Sequence, residues 1–378
     1  MMTLRTPDSN ILTEADIDFN AFDEQNPGKI KLRLLAQLGK QDLLRYAGHL
    51  PQKFMEHFPN HPLNIRGSVD GNMQHLELAG FDVTLTTAVK VTFDGTAENI
   101  TDISRMKADF QVSGKTQDLN FMTALLDPKM SGTYRIPNGV GISGRLTADG
   151  TRYGADITLH EGKGNVRLKG NAQIPLDAKG EMVVDRLNYD AAVTINQLNL
   201  HHFLPKDSIY TLTADIKAKG HGTDLFSNQS RLTADANVRL LKYGYMNLDS
   251  LIASATLQNG RAQATVTGHN EIFNGTMSAD MLLNTKKIEG TVSADLTKAD
   301  LYQMRLVDRQ LTIGTNGSLK VNSDMKQTHY VSGRLNDVYV RDERKTYKPG
   351  DVGILIKTNP DTTYVRAQSG DFILKLDA

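Results

Sequence analysis

The chain has 378 residues, 43 Lys and Arg against 43 Asp and Glu, no Cys, no Trp and only 6% aromatic residues. Zero net charge without a basic cluster argues against nucleic acid as a partner. The lack of cysteine removes disulfide frameworks, thiolate metal sites and cysteine nucleophiles together, and suits an oxidising compartment.

Alternation of apolar and polar residues begins at once, in ILTEADIDFNAF (11–22). A first interruption, 40–58, has helical period, with Leu43, Leu44, Ala47 and Leu50 on one face and Pro51 as a kink or stop. A second interruption covers 117–127. Strict alternation then resumes: Leu146 and Ala148; Tyr153, Ala155, Ile157 and Leu159; Val166, Leu168, Ala172 and Ile174. The next run is Leu187, Tyr189, Ala191, Val193 and Ile195, followed by a third interruption at 197–204. Leu212, Ala214 and Ile216 come next, then Leu232, Ala234, Ala236, Val238 and Leu240. The theme recurs at 251–257, 262–266, 277–281 and 292–296. A fourth interruption at 298–306 precedes further alternation at 331–340 and 372–376. Each interruption places a polar residue before a Leu, at Leu43, Leu119, Leu198 and Leu301, as a helix N-cap requires.

A period of two is the mark of half-buried strands, and the DG, NG and KG pairs between runs space them as an antiparallel meander. The expected fold is all-β with a few short helices, residues 1–378 forming one continuous repetitive body. A meander this long must close, stack or curl, and curling a sheet with one apolar face gives a U-shaped groove. Ala is a poor strand former, yet it recurs on the apolar face, leaving room there rather than filling it. The 23 residues named from Leu146 to Leu240 are the expected lining of that groove.

Candidates for chemistry are few. GVGISG (139–144) matches a dinucleotide-binding glycine pattern, but an alternating segment follows where a helix N-terminus is needed. His57 and His61 have a helical ligand spacing, yet Pro59 and Pro62 interrupt it and no third ligand is near. His201 and His202 are adjacent and so diverge. No catalytic, metal-binding or cofactor-binding residue is singled out, and no enzyme activity is expected. No window approaches 18 consecutive apolar residues and no basic-then-apolar segment opens the chain, so neither a transmembrane helix nor a signal peptide is expected. Alternation already under way at both ends reads as a piece of something longer.

SGRLTADG, LTADIKAKGHG, GTVSADLTKADLYQMRL and VSGRLNDVYV together resemble the periplasmic part of the TamB and AsmA-like proteins of double-membraned bacteria. That resemblance implies a β-taco with an apolar inner surface, similar to bridge-like lipid transfer proteins, and a periplasmic location. It also implies phospholipid or another acyl lipid as ligand, an inner-membrane anchor on the full-length protein and an outer-membrane barrel assembly protein as partner. Two other functions compete. One is an outer-membrane protein assembly factor whose sheet edge templates or chaperones strands. The other is a β-solenoid acting on polysaccharide, which would want repeats of constant length and clustered carboxylates.

Overall fold

The computed structural model describes residues 1–23, 25–46, 51–125, 133–304 and 306–377. These form 23 strands and a few short helices, an antiparallel all-β protein. The chain divides into two compact units: Met1–Gly180 with Val193–Thr211, and Glu181–Ala192 with Leu212–Ala378. The division passes through β11 (Asn188–Asn199) and β12 (Ile209–His221).

The first unit is a meander of ten further strands. They are β1 (Met2–Arg5), β2 (Asn10–Ile17), β3 (Ile30–Leu38), β4 (Leu63–Asn72), β5 (His75–Leu85), β6 (Val89–Glu98), β7 (Lys107–Thr116), β8 (Gly141–Asp149), β9 (Arg152–Glu161) and β10 (Gly164–Gln173). Each pairs antiparallel with the next. With a side-chain period of two, register alone decides whether apolar residues share a face. Here they do: Ala36, Ile65, Val83, Val91, Gly114, Ile142, Leu159 and Val166 are successive cross-strand partners. A parallel row carries Phe81 stacked on Phe93 at 4.8 Å. Phe110 stands edge-on to Phe93, at 6.2 Å.

Antiparallel alternation places every connection that follows an odd strand of this unit on one rim, and the helices gather there. α1 (Lys40–Tyr46) and α2 (Gln52–His57) follow β3, a 3₁₀ turn at Asn120–Leu125 follows β7, and another at Leu200–His202 follows β11. The rings of Phe54, Phe58 and Phe121 meet at 5.4–5.7 Å. Lys40 Nζ donates to the Phe58 carbonyl at 2.7 Å, and the Arg135 N–H donates to the Phe203 carbonyl at 2.8 Å. Asp42, in the first turn of α1, accepts from the Ser9 hydroxyl at 2.6 Å, with Thr6 beside it. The first three interruptions are thus one belt along a rim. Residues 47–50, where Ala47 and Leu50 complete the expected helical face, and residues 126 and 127 lie outside the described residues.

The second unit continues the meander. Its strands are β13 (Arg231–Tyr243), β14 (Met246–Leu248), β15 (Leu251–Gln258), β16 (Arg261–His269), β17 (Phe273–Leu283), β18 (Ile288–Asp300), β19 (Thr312–Ser323), β20 (His329–Arg341), β21 (Thr346–Thr358), β22 (Thr363–Ser369) and β23 (Phe372–Asp377). β13 pairs with both β14 and β15, and from β15 each strand pairs with the next. Ala234, Ala255, Ala264, Ala279, Val292, Leu319, Gly333, Ile354, Ala367 and Leu374 form one cross-strand row.

The fourth expected helix, 298–306, is not formed. β18 runs on to Asp300, because Lys298 and Ala299 keep partners in Asn274 and Phe273, and residues 301–304 are turns. The Asp300 carboxylate accepts from the Gln303 N–H at 2.9 Å, so the polar residue read as an N-cap closes a tight turn instead. Arg305 lies outside the described residues.

Within each unit the sheet is open and uncurled, so neither forms the U-shaped groove expected from the sequence. Ladder hydrogen bonds tie only nearest neighbours. Nothing in the ladder itself therefore draws the ends of the sheet together. Two compact bodies of half this mass would together expose about 18,000 Å², whereas the chain exposes 23674 Å². No large side chain among the described residues is fully buried.

Candidate functional site

The residues expected to line an apolar surface fall on consecutive strands. Leu146 and Ala148 are on β8, Tyr153, Ala155, Ile157 and Leu159 on β9, and Val166, Leu168 and Ala172 on β10. Register joins Leu146 to Ala155, Ala148 to Tyr153, Ile157 to Leu168 and Tyr153 to Ala172. Ile174 lies beyond β10, its N–H donating to the Thr151 carbonyl at 3.0 Å. Leu187 precedes β11, which carries Tyr189, Ala191, Val193 and Ile195. The division of the chain leaves Leu187, Tyr189 and Ala191 in the second unit and Val193 and Ile195 in the first. Leu212, Ala214 and Ile216 are on β12, and Leu232, Ala234, Ala236, Val238 and Leu240 on β13. Leu232 faces Leu257 and Val238 faces Leu251, while Leu240 falls between the two ladders of β13. Ile195 and Ala214 are buried, Leu146 and Leu168 are exposed, and the other nineteen are half-buried.

Sequence reasoning missed a device that recurs on these sheets, an aromatic ring laid over a glycine. A Cβ on Gly67 would meet the Phe81 ring at 2.6 Å, on Gly268 the Phe273 ring at 2.1 Å, and on Gly314 the Tyr339 ring at 2.1 Å. The ring covers backbone that a glycine leaves bare, and each needs the other. The sequence signal, an aromatic residue across from Gly (directly for Gly314 and Tyr339, beside a register shift or turn for the other two), becomes readable only once register is known.

The opposite face is polar and held by diagonal ion pairs. Arg167 grips Asp156 through both fork nitrogens at 2.9 and 2.8 Å, and Arg261 grips Asp280 at 2.6 and 2.5 Å. Arg145 holds Asp109 in the same way. Arg261 first, then Gln263, lowers the Asp280 carboxyl to a pKa of about 2. A carboxyl depressed below its unfolded value contributes stability that is present above about pH 4 and is lost as pH falls towards 2. Thermal melts of the chain should be flat from pH 7 to about pH 5 and then decline, and Asp280→Asn should make that acid decline shallower. An identical acid profile for Asp280→Asn would contradict this.

The motifs with possible chemistry resolve into structural roles. GVGISG enters β8 at its own third residue, Gly141, so no helix follows it to receive a phosphate. His57 closes α2, its Nδ1 2.8 Å from the Lys53 carbonyl, and His61 lies beyond that helix. His201 stacks on Tyr210 at 4.8 Å, while His202 Nδ1 lies 2.7 Å from Glu161 Oε1 and its Nε2 accepts from Asn199. No group of three or more ligating side chains gathers among the described residues. No helix there is long and apolar enough to cross a membrane. In comparisons with family models, with characterised proteins and with solved structures, nothing matches this chain.

Proposed function

We propose that this chain is a non-catalytic lipid-shielding segment of a periplasmic protein, holding phospholipid acyl chains against its apolar sheet faces between two membranes. The observation that carries the reading is the run of unbroken apolar cross-strand rows, eight strands long in one unit and ten in the other, on half-exposed faces. Each methylene removed from water against such a face contributes roughly 0.8 kcal/mol, without direction. Chains can therefore slide along the rows instead of lodging in a specific pocket. The compartment, the inner-membrane anchor and the outer-membrane barrel partner of the full-length protein come from the resemblance to TamB and AsmA-like proteins.

The test is lipid recovery. Protein purified from a bacterial envelope should yield phospholipid on organic extraction, with headgroups in the proportions of the source membrane. It should also take up labelled phospholipid from vesicles. Recovery of none, together with no uptake, sinks the reading.

A further inference from the structure

The second unit has a concavity of about 810 Å³ to which the polar side of its sheet contributes most of the residues, with Leu232, Leu257 and Leu282 also in its wall. Lys219 and His221 of β12, Arg231 of β13, Gln258 of β15, and Arg261 and Gln263 of β16 contribute to its lining, and no carboxylate does. Register places Arg231 and Arg261 on either side of Gln258, two strand spacings apart, or about 10 Å at their Cα atoms.

The cations differ in what they already hold. Lys219 Nζ is 3.5 Å from Asp190, and Asp280 engages both Arg261 and the Gln263 amide, the latter at 3.0 Å. Both acids stand outside the lining, where they orient these side chains. The Arg231 side chain forms no hydrogen bond or ion pair with any described residue, although it sits between partnered neighbours. His221 Nδ1 is 2.9 Å from Asn188 Oδ1, which points the imidazole by one nitrogen and leaves Nε2 open.

An unengaged guanidinium fork, with the Gln258 amide directly across from it, the Lys219 ammonium on the next strand and no acid in the lining, matches a tetrahedral oxyanion. Its parallel N–H groups bond two oxygens at once, which a lysine cannot do. We propose that this concavity binds a phosphate group, carried by a lipid headgroup or free in solution. The assignment stands on the polar face and does not rest on the apolar-face reading.

Calorimetry on the full chain tests it with two probes, inorganic phosphate and dihexanoylphosphatidic acid below its micellar concentration. The variants are Arg231→Gln, Arg231→Lys and, on the same face but outside the concavity, the exposed and unpaired Arg334→Gln. Wild type and Arg334→Gln should bind at least one probe equally. Arg231→Gln should weaken that binding by about tenfold or more, and Arg231→Lys should recover part of it. Tighter binding of the phosphatidic acid supports the site as one for a headgroup, and equal affinities support it as one for free phosphate. No binding of either probe at millimolar concentration overturns the proposal, as does an equal loss in Arg231→Gln and Arg334→Gln. Phosphate bound by a chain that yields no lipid and takes none up from vesicles keeps this site and sinks only the apolar-face reading.

Discussion

Ile216→Asp is expected to remain folded while losing bound lipid, whereas Lys217→Asp keeps both. The two positions are neighbours on β12 with opposite faces, Ile216 half-buried and Lys217 exposed. A carboxylate at 216 reaches water once acyl chains have left, so it interrupts an apolar row without being stranded. Two residues away the outcome reverses. Ala214 is 1% exposed, and an aspartate there has no solvent and no partner, costing several kcal/mol, enough to unfold a marginal domain. Ala214→Asp should therefore lose its cooperative melt altogether. Thermal melts and lipid quantification on the three variants decide the matter. If Ile216→Asp also unfolds, the face is a packed core at this position. If Ile216→Asp and Lys217→Asp retain lipid equally, lipid binds elsewhere.

Gly268→Val is expected to destabilise the second unit by about 3 kcal/mol, the cost of forcing branched atoms into a filled site. The Phe273 ring occupies the space a side chain would need, and Phe273 is itself buried at 8% exposure. Gly353→Ala is the counterpart. Its nearest neighbour would be the Gln368 carbonyl at an ordinary 3.8 Å, so its effect should stay within about 0.5 kcal/mol. Urea unfolding measures both. Pairing Gly268→Val with Phe273→Ala should cost less than the two single changes added together, since each alone wastes the other's fit. Additive losses would show that the ring and the glycine are not coupled.

Alternation along the chain was enough to read the all-β class and the apolar face of most strands between 146 and 296. Each residue's side follows from local backbone geometry once the period is two. The three rim interruptions were legible as breaks in the alternation, but their caps were not: Asp42 lies inside the first turn of α1, and Leu198 is still in β11, with Asn199 capping the turn that follows. The fourth was not, because whether Lys298 and Ala299 stay in a ladder depends on Asn274 and Phe273, more than twenty residues away.

Alternation also slips where the sequence shows no reason for it, and there tertiary pairing decides. Leu78 and Phe81 are three apart yet face Gly95 and Phe93, which are two apart, because Gly80 at φ +62° is an extra bulge residue. Leu335 and Val338 keep one face in the same way, with Asp337 held at φ +47°. The guanidinium of Arg231 belongs to the same class: β13 carries it on the polar side by period alone. That it stands unpaired beside Lys219 and Arg261 follows from register and from the placing of Asp190 and Asp280. Faces are local because one residue's dihedral angles set them; sites are not, because they join residues whose separation along the chain carries no energy of its own.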